Sequence, residues 1–332
     1  MCTSRSVAAV LCTVLTAGAV VVRAQTSSQP ARCDGDIRVM SFNVRLGGDG
    51  VDELLTHVYG RWFKPRMHSL HDTRNYWRNR RDIVFDVIRR HEPDLIGLQE
   101  ANRAQLDDIH AALPHYGEVG VGRFGEKLGE YCAILYRLDR FSVGEQGTFW
   151  FSETPEVPGS MHWGNKFPRT CTWAHLHDRN GDQAFYLFNV HFSSGHQPAR
   201  ERSVRLLAER VASRTHSDPV VLTGDFNAVE DNSVVLLLTG RPLPPRTQTA
   251  TAAAPSPRVV DAFRTVHRDA DQVGTYHDFA GRRNGPKVDY IFVTPDVTVR
   301  DADILHDNRG GQYPSDHFPV TAVLRLPPRT QP

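Results

Sequence analysis

Acid, amide and imidazole side chains stand where several apolar runs of this 332-residue chain end. Each run predicts a buried strand, and a rigid sheet can aim the side chains at its edge toward one point. Carboxylates, amides and imidazoles together can hold a hard divalent cation and hydrolyse a phosphate ester. The motifs that share this placement are Ser-Phe-Asn at 41–43, Leu-Gln-Glu at 98–100, Asn-Val-His at 189–191, Gly-Asp-Phe-Asn at 224–227, Val-Asp-Tyr at 288–290 and Ser-Asp-His at 315–317.

Two of these motifs supply oxygen ligands for a metal ion. Glu100 follows a short apolar run that starts at Leu95, and Asn43 follows the run that ends at Phe42. A solvated loop acid or a turn amide is the ordinary interpretation of either residue alone. Mg²⁺ is usually held by one or two carboxylates and several waters, so one Glu, one Asp and an amide would be sufficient.

Asp225 and Asn227 lie two residues apart, directly after a predicted strand. In an extended segment they share a side, and Phe226 between them points into the core. Asp225 could then orient or deprotonate a water molecule, and Asn227 could donate a hydrogen bond to a phosphate oxygen. An Asx turn that caps the next helix is the alternative interpretation.

Two histidines, His191 and His317, follow predicted strands and lie beside acids. An imidazole can donate to phosphate or relay a proton near neutral pH. Asp289 heads another strand and could orient His317, as carboxylates do for other imidazoles. A cap at the strand edge is the alternative for Asp289. Of the other histidines, only His68 and His71 remain as further candidates.

Strands outnumber helices in the chain, and hairpin-like pairs are mixed with strand–helix–strand units. Apolar residues at helical spacing predict a helix at 75–90 whose Arg78, Arg80 and Arg81 face outward. Because no linker or repeat is present, we expect one mixed α/β domain. Further helices are predicted at 102–112 and 198–212, an Asn-Gly hairpin turn at 180–181, a surface loop at 240–257, and strands at 37–42, 95–98, 131–136, 140–151, 171–176, 184–190, 220–222, 287–293, 297–304 and 320–326.

The N-terminus predicts export. Residues 1–24 combine Arg5, an apolar stretch and a Val-Arg-Ala cleavage site, and residues 25–35 are predicted to form a disordered leader. An uncleaved membrane anchor is the alternative, although the stretch is shorter than the roughly 20 residues that a spanning helix needs. We therefore expect the mature protein to be secreted or periplasmic.

Charge and cysteine content limit the possible functions. Removal of residues 1–24 would remove two arginines and lower the net charge from +1 to about −1. A non-specific nucleic-acid binder usually has a strong basic excess, so long duplex DNA is disfavoured as the main ligand. Cys132 and Cys171 both lie in strand-like runs and could form a disulfide or remain buried thiols. The chain has no Cys/His spacing typical of a zinc site.

In their order along the chain, the six motifs resemble those of the endonuclease/exonuclease/phosphatase (DNase I-like) superfamily over residues 36–327. The resemblance implies a four-layer α/β sandwich of two facing mixed β-sheets with helices outside. It places the site at one end of the sandwich. It also implies that Glu100 binds Mg²⁺ or Mn²⁺, with support from Asn43 and Asp316.

The same resemblance implies roles for five further residues. Asp225 would position or activate the attacking water, while Asn227 and His191 would contact the phosphate. His317, paired with Asp289, would stabilise the transition state or act as the general base. The reaction would be in-line attack of water on phosphorus.

Segments 149–160 and 163–170 are similar to a group of exported bacterial members of this superfamily. Two features depart from that group, because Ser193-Ser194 stands where Asp-His is common and segment 44–75 is a longer insertion. We predict a secreted, metal-dependent phosphoesterase acting on nucleic acid, a lipid head group, or a sugar or inositol phosphate. We expect a monomer without a stable protein partner. A catalytically silent binding module on the same fold is the alternative.

Overall fold

Twelve strands form two six-stranded sheets in the described part of the chain, which in this computed structural model comprises residues 34–47, 73–243 and 257–328. The strands are β1 Asp36–Asn43, β2 Leu95–Gln99, β3 Tyr116–Val119, β4 Ile134–Arg137, β5 Phe141–Trp150, β6 Thr170–Asp178, β7 Gln183–His191, β8 Val220–Asp225, β9 Val260–Asp261, β10 Asp289–Val293, β11 Thr298–Ile304 and β12 Val320–Arg325. The first sheet has the order β11-β12-β1-β2-β4-β3, and the second has the order β5-β6-β7-β8-β10-β9.

Helices cover the outer faces of both sheets. They are α1 Trp77–His91, α2 Arg103–Ala112, α3 Gln197–Ala212 and α4 Ser233–Thr239, with a short 3-10 turn at Thr73–Asn75. The short helix α5 Ala262–Val266 packs instead against the core between the sheets. A capping box starts α2, since Asn102 and Gln105 each accept the backbone N–H of the other. Asn232 starts α4 by accepting from the N–H of Val234.

Three apolar cores hold these layers together. The core between the sheets includes Val39 of β1 and Leu187 of β7. A second core lies between the first sheet and α1 and α2, and a third lies between the second sheet and α3 and α4. The arrangement of helix, sheet, sheet and helix confirms the predicted four-layer α/β sandwich.

Strand direction brings the motif ends to one edge. Strands β1 and β2 are parallel, with Asn43 opposite Gln99, and β7 and β8 are parallel, with His191 opposite Asp225. Strand β10 is antiparallel to β8 and begins beside its end, with Asp289 opposite Asp225. Because parallel strands end at the same edge, their terminal side chains converge there.

A buried polar layer connects the two sheets just before this edge. Gln99 Nε2 donates to Asn189 Oδ1 at 2.7 Å, and Thr223 Oγ1 donates to the same oxygen at 3.1 Å. A Cβ on Gly97 would lie 2.2 Å from Thr223 Oγ1 and 2.6 Å from Asn189 Oδ1, so only glycine leaves room for them. The layer therefore fixes β2 against β7 and β8.

The main predicted helices and strands are confirmed to within a few residues, including the β6–β7 hairpin. The strand predicted at 131–136 begins later, at Ile134. Four short elements, namely β3, β9, α4 and α5, were not predicted. They have only two to seven residues each, too few to show a hydrophobic period.

The prediction that Arg80 faces solvent is wrong. Its side chain is fully buried and donates to the backbone oxygens of Val44, Arg45 and Pro314, the last two at 2.6 and 2.8 Å. A guanidinium carries five N–H donors and can satisfy several buried carbonyls at once. Arg80 therefore ties α1 to the two loops that follow Asn43 and precede Ser315.

Cys132 and Cys171 are both buried free thiols in the structure, so of the two alternatives it has the buried thiols and not the disulfide. The Cys132 thiol donates instead to the backbone oxygen of Thr170 at 3.4 Å. Burial raises the pKa of the Cys132 thiol to about 12, so this thiol stays protonated and unreactive.

Several predictions fall on residues outside the described ranges. These are the signal peptide at 1–24, nearly all of the leader at 25–35, most of the insertion at 44–75 with His68 and His71, and most of the loop at 240–257. Within the described ranges, none of the helices has the length and apolar character needed to cross a membrane.

Candidate active site

The structure brings all eight predicted site residues together at one edge of the sandwich. Asn43, His191 and Asp225 end β1, β7 and β8, and Asp289 begins β10. Glu100 follows β2 directly. The complete set is Asn43, Glu100, His191, Asp225, Asn227, Asp289, Asp316 and His317.

Asn43 links two of the acids. Its Nδ2 donates to Glu100 Oε1 at 3.2 Å and to Asp225 Oδ2 at 3.1 Å, and its Oδ1 accepts from Arg45 N at 3.0 Å. The amide nitrogen of Asn43, rather than the oxygen, thus faces the carboxylates. Asn43 holds Glu100 and Asp225 at a fixed separation.

A guanidinium lies between the two acids that the resemblance assigned to the metal. Arg45 Nη1 lies 3.4 Å from Glu100 Oε2, and Arg45 Nε lies 3.7 Å from Asp316 Oδ2. Burial alone would raise the pKa of Glu100, but the positive charges of Arg45 and His317 and the hydrogen bond from Asn43 hold it well below its usual range. The carboxylates of Glu100 and Asp316 therefore both face the guanidinium of Arg45. Carboxylate oxygens are also the ligands that Mg²⁺ and Mn²⁺ prefer.

Three buried groups form a second cluster. Ligand atoms of Asp225, Asp289 and His317 all lie within 4.8 Å of one another. His317 Nδ1 is 2.8 Å from Asp289 Oδ2, and His317 Nε2 is 3.9 Å from Asp225 Oδ2. Asp289 Oδ1 is buried and has no hydrogen-bond partner in the described part of the chain.

Charge in this cluster sets where protons are held. Burial alone would lower the pKa of His317, but the charge and hydrogen bond of Asp289 and the charge of Asp225 raise it to about 10. Burial and the charge of Asp289 also raise the pKa of Asp225. The imidazole of His317 is therefore protonated at neutral pH, and Asp225 binds a proton more readily than an ordinary Asp.

His191 has the opposite protonation preference. Its Nε2 lies 3.5 Å from Asp225 Oδ2. Burial and the charge of Arg169 hold the pKa of His191 well below its ordinary value, so this ring is neutral and can both donate and accept a hydrogen bond.

Asn227 closes a turn beside Asp225. Its backbone N–H donates to Asp225 Oδ1 at 2.8 Å, which forms an Asx turn. This turn does not cap the next helix, as the alternative interpretation required, because α4 has Asn232 as its N-cap. Asn227 Nδ2 donates to the backbone oxygen of Phe192 at 3.0 Å, and Phe226 between the two polar residues is fully buried as expected.

Sequence reasoning missed the arginines that surround this edge. Arg45 contacts Glu100 and Asp316, and Arg169 acts on His191. Both lie in loops, where no hydrophobic period marks a position. The only signal for Arg169 was the Pro-Arg-Thr segment at 168–170, which carried part of the resemblance to exported bacterial proteins.

Two facing mixed sheets that converge acids, amides and imidazoles at one edge define the DNase I-like class of α/β sandwich. The model of the Endonuclease/Exonuclease/phosphatase family matches residues 40–317. The chain belongs to that family.

Solved structures of similar sequence share the fold. An endonuclease/exonuclease/phosphatase from Bacteroides vulgatus is 31% identical with a TM-score of 0.72, covering 88% of this chain and 99% of its own. The Bacteroides thetaiotaomicron mannosyl-6-phosphatase is 29% identical with a TM-score of 0.67, covering 87% of this chain and 100% of its own.

Among curated sequences, a protein of Acanthamoeba polyphaga mimivirus is 33% identical over 181 residues, which is 50% of this chain. The match spans 63% of the mimivirus protein, so this chain covers less than two thirds of that relative.

Proposed function

We propose that this protein is a divalent-metal-dependent phosphoesterase that cleaves its substrate by in-line attack of water on phosphorus. The observation that carries the proposal is the position of Asp225. Its Oδ2 accepts from Asn43 Nδ2, and His191 Nε2 and His317 Nε2 lie 3.5 and 3.9 Å from the same oxygen. A candidate base is therefore next to two imidazoles and to the amide that also donates to Glu100.

Each group has a separate task in this mechanism. Asp225 orients the water and accepts its proton, which suits a carboxyl whose pKa is raised toward neutrality. Protonated His317, held by Asp289, and neutral His191 donate to phosphate oxygens. Glu100 and Asp316 are the residues that would hold the metal ion, which when bound neutralises charge developing on the phosphate.

We infer that the substrate is a phosphate monoester of a sugar. The support is the mannosyl-6-phosphatase, which is 29% identical to this chain and aligns over its whole length. A nucleic acid or lipid phosphodiester is the competing substrate class, and the neutral net charge of the chain gives no support to long duplex DNA.

The proposal is tested by following hydrolysis of 4-nitrophenyl phosphate, bis(4-nitrophenyl) phosphate and mannose 6-phosphate with Mg²⁺, Mn²⁺ or EDTA. The chain from Gln25 onward is compared with Glu100→Gln and with the exposed-residue control Glu209→Gln. We expect hydrolysis by the wild type to require the metal ion. Glu100→Gln should lower this activity by about 100-fold or more, and Glu209→Gln should retain it.

Metal binding has its own readout. At a concentration about 100 times its Kd, Mg²⁺ should raise the unfolding free energy by about 2.7 kcal/mol in the wild type and much less in Glu100→Gln. Undiminished activity in EDTA would contradict the metal requirement. Absence of both turnover and metal binding would favour the silent binding module.

We also propose that the protein is exported, on the support of the basic, apolar and small-residue pattern of residues 1–24. N-terminal sequencing of protein recovered from the medium or periplasm of a bacterial host should begin at Gln25. Recovery only of the intact N-terminus with the membrane fraction would support the anchor.

A further inference from the structure

One arginine beside the catalytic edge has no partner for its guanidinium. Arg169 directly precedes β6, where its backbone oxygen accepts from Phe151 N at 2.8 Å. Its side chain makes no hydrogen bond or ion pair with any residue in the described ranges. The donors of this guanidinium are therefore free to bind a ligand.

The charge of Arg169 is directed at the site. It is one of the main causes of the depressed pKa of His191, second only to burial. In return, the negative charges of Glu130, Glu100 and Asp225 act on Arg169. Strand register places it there as well, because Cys171 of β6 lies opposite Val190 of β7. Arg169, two residues before Cys171, therefore lies at the edge where β7 ends in His191.

The other arginines whose charges act on this edge are already engaged. Arg45 pairs with Glu100 and Asp316. Arg123 Nη2 pairs with Glu130 at 2.8 Å, and its guanidinium lies 4.8 Å from the centre of the Phe167 ring. Arg200 donates to the backbone oxygen of Ser193 and to Gln197. Within the described ranges, Arg169 is the member of this group that lacks a partner.

An unpaired guanidinium at a half-buried position is costly. Burial removes solvation from its charge and lowers the pKa of Arg169, and no hydrogen bond from the described ranges replaces that solvation. An anion that binds there would restore those hydrogen bonds. Phosphate suits the planar fork of a guanidinium, which can donate two parallel hydrogen bonds to one oxyanion group.

We propose that Arg169 binds a non-bridging oxygen of the substrate phosphate and makes the site prefer a monoester dianion to a diester monoanion. The inference rests on the phosphoesterase function proposed above. A monoester at neutral pH has three non-bridging oxygens and two charges, whereas a diester has two such oxygens and one charge. If the metal ion that Glu100 and Asp316 would hold serves two of the oxygens together with His191 and His317, a further cationic group has a partner only in the monoester.

The test compares Arg169→Met and Arg169→Lys with the wild type. Arg300→Met is the matched control, because Arg300 is an exposed arginine of β11, in the other sheet. Binding of inorganic phosphate is measured by titration calorimetry, which needs no turnover. The values of kcat/KM are measured for 4-nitrophenyl phosphate and bis(4-nitrophenyl) phosphate, which share a leaving group.

We expect Arg169→Met to weaken phosphate binding and to lower monoester kcat/KM by about 10- to 100-fold, the effect of losing a charged hydrogen bond. The loss with the diester should be several-fold smaller. Arg169→Lys should recover part of the monoester loss because it keeps the charge without the fork. Arg300→Met should match the wild type in both measurements.

Unchanged phosphate affinity in Arg169→Met, or equal losses on both esters, would overturn the inference. If Arg169→Met does not fold, Arg169→Lys must show the selective monoester loss, and its absence would overturn the inference as well. If the wild-type protein hydrolyses neither ester but binds phosphate through Arg169, the proposed phosphoesterase function is contradicted and the anion-binding role of Arg169 is supported. A wild type that binds no phosphate would remove both the subsite and its proposed selectivity.

Discussion

At the scale of single residues, the surroundings of two histidines in the site shift their pKa values in opposite directions. His317 and His191 both lie within 4 Å of Asp225 Oδ2, at 3.9 and 3.5 Å, yet the pKa of His317 is raised and that of His191 is lowered. The difference follows from their neighbours, since Asp289 contacts one ring and Arg169 acts on the other. One imidazolium and one neutral imidazole therefore lie beside the same carboxylate.

Replacement of Asp289 by Asn should remove the charge that keeps His317 protonated. We expect the pKa of His317 to fall from about 10 toward its ordinary value of 6.5, measured by NMR titration of the imidazole. In the same variant, kcat/KM should fall by about 100-fold or more at pH 8, where the wild-type imidazole is still charged. The exposed-residue variant Asp271→Asn should change neither quantity. An unshifted imidazole titration would contradict the assigned pair.

At the scale of elements, close contacts between the sheets support the site. Arg80 of α1 fixes the segments next to Asn43 and Ser315 through backbone oxygens. Gly97 lets β2 approach β7 and β8 closely enough for Gln99 to reach Asn189. The acids at the strand ends are therefore positioned by contacts made one or two residues earlier.

Gly97→Ala should test this close approach. The added Cβ would overlap Thr223 Oγ1 and Asn189 Oδ1, so the sheets must separate or the polar layer must rearrange. We expect a loss of about 1–3 kcal/mol in the free energy of unfolding by urea, typical of overpacking. Gly195→Ala, with nothing within 4 Å of its Cβ, is the matched control. Equal stability of the two variants would show that the sheets are not tightly packed at this point.

At the scale of the whole molecule, acid should destabilise the fold through buried His277 and half-buried His306, which both pack on Phe318. The ring centroids of His277 and His306 lie 3.8 and 4.5 Å from the ring centroid of Phe318. The Nε2 atoms of both histidines are buried and have no hydrogen-bond partner in the described ranges. Burial lowers the pKa of each ring to about 4. Both therefore stay neutral in the folded chain while the unfolded chain takes up protons.

The sign of the pH dependence follows from these lowered pKa values. Below about pH 6.5 the unfolded chain binds protons first, so the unfolding free energy should fall progressively as the pH approaches 4. His306→Phe removes one of the two groups and should lose less stability than the wild type between pH 8 and pH 5 in urea titrations. Parallel losses in the two proteins would contradict the lowered pKa of His306.

The sequence alone predicted most of the elements and the residues of the candidate site. Apolar runs of strand length, helical spacing and an Asn-Gly turn predicted most elements, because these signals are local. The order of the six motifs predicted the family and the eight residues that meet at the edge. It also gave the acids, amides and imidazoles from which the candidate reaction follows.

Only the tertiary structure decided how those residues interact. Sheet order and strand direction made Asp225 the neighbour of Asn43, His191 and His317, and a change of sheet partner would have separated them. Arg80 was read as a surface residue because helical spacing does not reveal that a loop covers it. The Pro-Arg-Thr segment marked Arg169 only by resemblance, because its effect on His191 and its free guanidinium depend on neighbours that are distant along the chain and close in space.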